Sequence, residues 1–198
     1  MIDYIESIIP ITALIAISLF TLGQVVDLIK RRKEAKRKTK AIHSIVVNEL
    51  ERNYWSLECF WGCLRLLQDS LPNGTLVAAR GEIHHVMFTQ NGLETFRPLP
   101  SFKLSIIDSL LLQTAEIDEK LFNLTNEVSS TLKELESYRN QLIEVFEQTG
   151  LESVDRGVRD FSIEFLAGLV YEYDNFYNPL GKLYLEVAKK KLETTKAW

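Results

Sequence analysis

The sequence lacks the short motifs that identify common enzyme chemistries. It contains no glycine-rich phosphate loop, no nucleophile elbow and no helix motif with paired carboxylates. Cysteine is also scarce, because Cys59 and Cys63 are the only two, and a reducing compartment would leave both as thiols. The residues alone identify no reaction, and the expectation is a protein without enzymatic activity, metal or cofactor.

Charge is absent from Ser7 to Val26, a run of 20 residues with the sequence SIIPITALIAISLFTLGQVV. As a helix this run is about 30 Å long, which matches the hydrocarbon core of a bilayer. A cleaved signal peptide begins with basic residues and has a shorter apolar run, whereas this chain begins with Asp3 and Glu6. A buried core helix is the other alternative. The pattern favours a single transmembrane helix.

Basic residues are concentrated directly after the apolar run. Residues 27–40 carry +6, because eight Lys and Arg residues outnumber Asp27 and Glu34. The chain carries −4 in total and residues 1–26 carry −2, so residues 41–198 carry −8. Phosphate binding needs clustered Lys and Arg, so this acidic remainder is not expected to bind nucleic acid.

Lys and Arg that flank a membrane helix are retained on the cytoplasmic side. We therefore expect the N-terminus outside and the body in the cytoplasm, beneath the inner (plasma) membrane. The basic block would also contact anionic lipid headgroups, although it serves equally well as a topology signal alone. The predicted membrane-surface residues are Lys30, Arg31, Arg32, Lys33, Lys36, Arg37 and Lys38. The predicted organisation is an anchor at 1–26, a basic juxtamembrane segment at 27–40 and a cytoplasmic helical domain at 41–198.

Small residues lie on one side of the apolar run. Thr12 and Ala16 are four residues apart, and Gly23 lies about two helical turns further along that side. Small side chains let two helices approach closely in lipid. These three residues are the predicted contact for self-association, and the chain is expected to form a homo-oligomer.

Helical patterns dominate the rest of the chain, which predicts an all-α fold. No Pro or Gly occurs between Gln24 and Trp61, and apolar residues recur at threes and fours over 42–67. The simplest expectation is one long helix, or two nearly continuous helices, running from the membrane into the cytoplasm.

Further helices are predicted after residue 101. A long amphipathic helix has Thr114 as its N-cap and is expected to pair antiparallel with the 42–67 helix. Another covers about 155–176, and a last one covers 182–194 because Asn178-Pro179 interrupts the pattern. The expected result is a bundle of four or five helices.

Residues 71–101 have no helical period and are predicted as an irregular or hairpin insertion. Glu82–Thr89 has the composition of a short strand, and the Asn91-Gly92 that follows is a common turn. An alternative is that this segment orders only when it binds a partner.

Arg80 and His85 form an Arg-x4-His motif in the sequence Arg-Gly-Glu-Ile-His-His. This spacing resembles the signature of HEPN domains, which are helical bundles found in many prokaryotic antiviral ribonucleases. The resemblance implies RNA as a partner, with Arg80 stabilising phosphate charge and His85 transferring a proton. The layout of one span and a helical body is also similar to that of membrane-anchored, pore-forming members of CRISPR systems. The family motif lies on a helix, whereas Arg80 follows Asn73-Gly74 in the least helical part of this chain.

The sequence Glu49-Leu50-x-x-Asn53 resembles a pattern in uncharacterised bacterial proteins that combine a membrane anchor with a helical body. The resemblance covers the two long helices and implies a fold without an activity. The favoured interpretation of Glu49 and Asn53 is a polar pair, one turn apart, at the edge of the core.

Two further groups have alternative interpretations. Cys59 and Cys63, with His84 or His85, have the residue types of a metal site, but Cys-x3-Cys within an apolar helix favours small core residues. The sequence Tyr-Glu-Tyr-Asp-Asn-Phe-Tyr at 171–177 predicts either core packing or a partner surface.

These patterns lead to two expectations of function. The first is a single-pass, membrane-anchored protein that self-associates and acts by assembly or partner binding at the inner face of the membrane. The alternative is an antiviral effector, either a membrane pore or a HEPN-like, RNA-acting protein.

Overall fold

The computed structural model describes residues 11–70, 74–77, 83–90, 93–147 and 156–193. Within these ranges the chain is mainly helical, with five α-helices, one 3-10 helix and three β-strands, which confirms the predicted helical class. Contacts divide the chain into two units, residues 1–41 and 42–198, and helix α1 (Ile11–Ser70) contributes residues to both.

Helix α1 is helical at every residue from Ile11 to Ser70. The expected long helix is therefore confirmed, and its backbone contains no break between Val26 and Ile42. The lack of Pro and Gly over residues 25–60 explains this length, since both residues weaken a helix interior. The helix ends immediately before the Leu-Pro-Asn-Gly sequence that predicts its end.

The second unit has a hydrophobic core to which α1 contributes one side. The buried residues follow the helical period, and they include Ile42, Val46, Leu50, Leu57, Trp61, Leu64 and Leu67. Full burial of one such side chain contributes roughly 1.5–3 kcal/mol, so this side alone stabilises the unit substantially. The apolar spacing that predicts the helix is thus the spacing of its buried side.

Residues 74–100 contain a three-stranded antiparallel sheet in the order β1-β2-β3. The strands are β1 (Gly74–Val77), β2 (Ile83–Gln90) and β3 (Leu93–Pro100). The predicted strand and its hairpin are confirmed, although Asn91-Gly92 itself lies outside the described residues. Of the two predicted alternatives, an irregular or a hairpin insertion, the structure has the hairpin, and β1 pairs with β2 as a third strand that the sequence does not predict. Four residues are too few to show a strand period in the sequence.

Helices α2 (Ser105–Ala115) and α3 (Glu119–Glu147) follow the sheet. Thr114 is not the N-cap of α3, because it lies buried in the last turn of α2 and donates a hydrogen bond to the backbone O of Leu111. The cap is Asp118, whose Oδ1 accepts a hydrogen bond from the backbone N of Lys120 at 3.1 Å. Its carboxylate is also favoured near the positive end of the helix dipole.

Helix α4 (Arg156–Gly168), a 3-10 helix (Leu169–Glu172) and helix α5 (Tyr173–Ala188) lie near the end of the second unit. The predicted interruption at Asn178-Pro179 is wrong, because α5 continues through Pro179. A proline inside a helix costs about 3 kcal/mol, and burial of Pro179 with Leu180 and Leu183 offsets part of that cost. The predicted 155–176 helix is divided instead by the 3-10 helix, and the last helix ends at Ala188 rather than at 194.

Ion pairs connect the helices around α3. Lys120 pairs with Glu186 of α5 at 2.6 Å, and Lys133 pairs with Asp108 of α2 at 3.2 Å. Both pairs are at the surface, where such a pair is worth about 0–1 kcal/mol, so the apolar core supplies most of the stability. The antiparallel pairing of α1 with α3 stays a prediction.

Candidate functional site

The N-terminal part of α1 has an extensive exposed apolar surface. Ten large apolar side chains there are 42–67% exposed, and they are Leu14, Ile15, Ile17, Leu19, Phe20, Leu22, Val25, Val26, Leu28 and Ile29. They point in every direction around the helix axis, because successive residues of an α-helix are turned by about 100°. Among the described residues, α1 is the one helix that is long and apolar enough to cross a membrane.

The basic residues predicted to contact the membrane surface continue the same helix. All seven are exposed, and with Lys40 they form what we call the basic collar, residues 30–40. Four consecutive cations at 30–33 cover every side of a helix. The collar therefore surrounds the helix instead of occupying one face.

The small residues predicted to mediate self-association lie in the apolar stretch. Ala16 and Gly23 are exposed, whereas the side chain of Thr12 lies outside the described residues. A Cβ atom added at Gly23 would have no heavy atom within 4 Å. Packing inside the described part of the chain therefore does not require glycine at this position. The role of these residues in self-association stays a prediction.

Of the HEPN-like pair, the structure describes only His85, and Arg80 lies outside the described residues. His85 is half-buried on β2, opposite Val77 of β1 and Pro98 of β3. Its neighbour His84 faces the other side of the sheet, as alternation along a strand requires, so the two histidines do not converge on one site. A strand position also differs from the helical position of the family motif. The catalytic roles of Arg80 and His85 stay predictions.

His84 belongs to a hydrogen-bond network around Arg139 of α3. Arg139 is only 4% exposed, and its Nη2 lies 3.0 Å from Nδ1 of His84. Its Nε and Nη2 each donate to the backbone O of Leu99 at 3.3 Å. Because a guanidinium only donates, Nδ1 of His84 is the acceptor in this contact. The network holds β2 and β3 against α3.

Glu136 supplies the negative charge that balances this buried cation. Its Oε1 pairs with Nη1 of Arg139 at 3.0 Å, and its Oε2 accepts from the backbone N of Phe102 at 2.8 Å. The sequence-based expectations do not include Arg139. Arg139 lies four residues after Leu135 and three before Leu142, and both leucines are buried. A cation on the apolar side of an amphipathic helix is therefore the sequence signal that could have identified Arg139.

Asn53 makes a second polar connection inside the core. It is fully buried, and it binds the backbone of Lys103 twice, accepting from N at 2.7 Å and donating to O at 3.0 Å. Its Nδ2 also donates to the backbone O of Glu49. Asn53 and Glu49 are thus connected through the backbone O of Glu49 and not through the two side chains. Asn53 lies in the core rather than at its edge.

The Glu49 carboxylate is incompletely satisfied. Its Oε1 pairs with Nη1 of Arg52 at 3.2 Å. Its Oε2 is buried and has no hydrogen-bond partner among the described residues. A buried unpaired polar atom costs about 1–3 kcal/mol, so this position weakens the core that Asn53 strengthens.

Both cysteines are free thiols in a poorly reactive state. Burial raises the pKa of the Cys59 thiol to about 11 and that of the Cys63 thiol to about 12. The thiolate is the form that attacks substrates and binds metals, and a raised pKa makes it scarce at neutral pH. Within the described ranges, no group of three His, Cys, Asp or Glu side chains is arranged to hold a metal ion. Cys63 is buried in the core as expected, and Cys59 is half-buried.

The aromatic and acidic sequence at 171–177 is divided between core and surface. Phe176 is buried, and the Tyr173 ring lies edge-to-face with Trp61 at 5.3 Å between centroids. Burial, together with a hydrogen bond from the Tyr173 hydroxyl to Glu58, raises the pKa of Tyr173 well above its usual range. Tyr171 is instead 82% exposed. The core interpretation is confirmed for Tyr173 and Phe176, and the partner-surface interpretation stays a prediction for Tyr171.

The exposed stretch of α1 has the clearest chemical requirement among the described residues. An apolar helix circumference is stable in an apolar solvent, since all backbone polar groups are already paired within the helix. The basic collar matches the anionic headgroups at the edge of such a solvent. Comparisons of the chain with protein-family models, with curated proteins and with solved structures find no match.

Proposed function

We propose that this chain is a single-pass membrane protein whose body, residues 41–198, lies in the cytoplasm. It acts there by self-association or by binding a protein partner. The observation that carries the proposal is the exposed apolar surface of α1 between Leu14 and Ile29. Removing one such side chain from water is worth roughly 1.5–3 kcal/mol, so ten of them in water would be strongly unfavourable.

The distribution of side chains along α1 supports a span over a helix that lies on the membrane surface. A surface-bound helix carries apolar and basic residues on opposite faces. In α1 the two types are separated along the axis, with apolar residues on all sides up to Ile29 and cations on all sides from Lys30. A boundary of this kind fits a helix that leaves the bilayer through the headgroup layer.

The charges of the chain support the proposed orientation. The basic collar follows the apolar stretch, whereas the residues before it include Asp3 and Glu6 and no Lys or Arg. Retention of cations on the cytoplasmic side would place the collar, and the body after it, inside. The body carries −8 from residue 41 onward, so anionic headgroups repel it and leave its surface available to other proteins.

Membrane fractionation tests the span. Full-length protein is expected in the membrane fraction and to resist extraction at alkaline pH. Leu19→Arg should lower the resistant fraction, because one Arg in the middle of a span costs about 2.5–3.5 kcal/mol. Leu185→Arg is the matched control, since Leu185 is also exposed but lies on α5. Wild-type protein in the soluble fraction would contradict the proposal.

Reporter fusions test the orientation. A C-terminal green fluorescent protein is expected to fluoresce and a C-terminal alkaline phosphatase to stay inactive, because the phosphatase needs the disulfides that form outside the cytoplasm. Replacing Lys30, Arg31, Arg32 and Lys33 by Gln should increase the phosphatase activity. Full phosphatase activity of the wild-type fusion would show the opposite orientation.

A further inference from the structure

Helix α4 presents an aromatic surface to solvent. Phe161 is 70% exposed and Phe165 is 45% exposed. They are four residues apart, so both lie on the same side of the helix, with the exposed Glu164 between them. Burial of large aromatic side chains is a main source of binding energy at interfaces, and here two of them are left in water.

Carboxylates surround this aromatic surface. The Phe165 ring lies 5.9 Å from the ring of Tyr138 on α3, whose hydroxyl donates to Oε1 of Glu134 at 2.8 Å. The hydrogen bond to Glu134 is the main cause that raises the pKa of Tyr138 to about 12, and the charge of Glu172 adds to it. Glu172 is itself exposed, at the end of the 3-10 helix that directly follows α4. We call Tyr138, Phe161, Phe165 and the carboxylates Glu134, Glu164 and Glu172 the acidic–aromatic face.

The carboxylates of this face have no cationic partners. Among the side chains that the structure describes, none forms an ion pair with Glu134, Glu164 or Glu172. Glu127, Glu136 and Glu186 are each paired with Lys or Arg elsewhere on the body. The acidic–aromatic face thus combines apolar rings with negative charge that the described side chains do not neutralise.

We propose that the acidic–aromatic face binds a basic amphipathic helix of a partner protein, with Leu and Arg at helical spacing. This inference rests on the proposed function, because it names the surface and the partner chemistry of binding in the cytoplasm. Guanidinium groups donate to carboxylates in pairs and also stack on aromatic rings. Leu side chains at i,i+4 spacing on the partner helix would pack on Phe161 and Phe165.

Charge disfavours the other occupants of this face. Anionic lipid headgroups and nucleic acid would be repelled by three carboxylates that form no ion pair with any described side chain. A symmetric contact between two copies would bring the same carboxylates of each copy together, and like charges across an interface are unfavourable. A cationic partner is the occupant that gains from every group of the face.

A peptide titration tests the proposal with full-length protein in detergent micelles. The probe is a fluorescent amphipathic peptide of about 18 residues that carries Leu on one side and Arg beside it, long enough to become helical when bound. A second peptide has every Arg replaced by Glu. Fluorescence anisotropy is expected to show saturable binding of the Arg peptide and none of the Glu peptide.

Matched variants separate the face from the general negative charge of the body. The triple variant Glu134→Gln, Glu164→Gln and Glu172→Gln should weaken binding at least about tenfold. The control triple variant Glu94→Gln, Glu119→Gln and Glu193→Gln removes the same charge elsewhere and should weaken it less than about twofold. Phe161→Ser should weaken binding about tenfold, whereas Leu112→Ser, at another exposed apolar residue, should not.

Three results would overturn the proposal. The first is that the two triple variants bind the Arg peptide with equal affinity. The second is that the Glu peptide binds as well as the Arg peptide. The third is that the protein self-associates and the face variants abolish this self-association, which would make a second copy the occupant. Thermal unfolding of each variant confirms that it is folded. Membrane fractionation of the same variants separates the two proposals, because lost peptide binding with intact membrane integration contradicts only the partner assignment.

Discussion

Asn53 and Arg139 hold the connection between β3 and α2 in place. Residues 101–104 have no regular secondary structure, so their backbone groups need partners from elsewhere. Asn53 of α1 binds the backbone of Lys103, and Glu136, held by Arg139, accepts from the backbone N of Phe102. Side chains of two helices thus replace the hydrogen bonds that a regular element would make for itself.

Asn53→Ala should therefore destabilise the body. The half-buried N–H and C=O of Lys103 would each lose a hydrogen bond to the fully buried Asn53, and loss of such a bond costs about 1–3 kcal/mol, so the free energy of unfolding should fall by roughly 2–4 kcal/mol. The measurement is urea unfolding of the full-length protein in micelles, followed by tryptophan fluorescence. Asn178→Ala, at an exposed position of α5, is the control and should change stability by less than about 0.5 kcal/mol. Equal stability of the two variants would show that the Asn53 bonds contribute little.

At the scale of secondary-structure elements, hydrogen bonds from tyrosines of α5 to glutamates of α1 connect the two helices. Tyr173 donates to Glu58, and Tyr184 donates to Glu51 at 2.6 Å. Burial is the first cause that raises the pKa of Tyr173 and of Tyr184, and the hydrogen bond to each carboxylate adds to it. Rings strengthen the same contact, with Tyr54 and Tyr177 at 5.6 Å between centroids. The contact depends on neutral phenols.

The protein should consequently lose stability at alkaline pH. A group whose pKa is raised on folding holds its proton more tightly in the folded state, so its contribution is complete below the unfolded pKa and is lost as pH rises toward the folded one. For these tyrosines the loss begins near pH 10, and for the cysteines near pH 9. Thermal unfolding between about pH 8 and pH 11 measures it.

Two tyrosine variants assign this alkaline loss. Tyr173→Phe should lower the melting temperature at neutral pH, since Glu58 loses a donor, but should reduce its further decline above about pH 10. Tyr171→Phe removes an exposed phenol and should leave the decline as in the wild type. A melting temperature independent of pH, or an identical decline in both variants, would contradict the role of the α1–α5 contact.

The whole molecule joins two parts that differ in their surfaces. The first unit exposes apolar residues on all sides of α1, and the second encloses a core within a charged surface. The helix α1 passes through the basic collar without a break in its hydrogen-bonded backbone. The two units are therefore continuous in sequence through one helix.

The predicted self-association through the apolar stretch of α1 is tested by enlarging its small residues. Wild-type protein in detergent should have a light-scattering mass, corrected for detergent, above the 22.8 kDa of one chain. The double variant Ala16→Leu and Gly23→Leu should shift toward the monomer, because larger side chains keep two helices apart. Ser18→Leu with Thr21→Leu makes similar enlargements on another side of the helix and should not. A monomeric wild type, or an equal effect of both double variants, would rule out this contact.

Local patterns are enough to predict the length of α1, its apolar stretch, the basic collar and the β2–β3 hairpin. Each depends on residues that are neighbours along the chain, through helical period, net charge or turn chemistry. The buried side of α1 over 42–67 follows from the same period. The exposed apolar surface that carries the proposed function can likewise be predicted from local sequence patterns.

Contacts between distant parts of the chain decide the rest. Strand β1 pairs with β2, Pro179 lies buried inside α5, and Arg139 is satisfied by groups of β2, β3 and its own helix. The acidic–aromatic face is likewise assembled from α3, α4 and the 3-10 helix. No local pattern brings Arg139 together with its partners on β2 and β3, or joins the parts of the face on α3 and α4, since these residues lie tens of positions apart and meet only when the core excludes water.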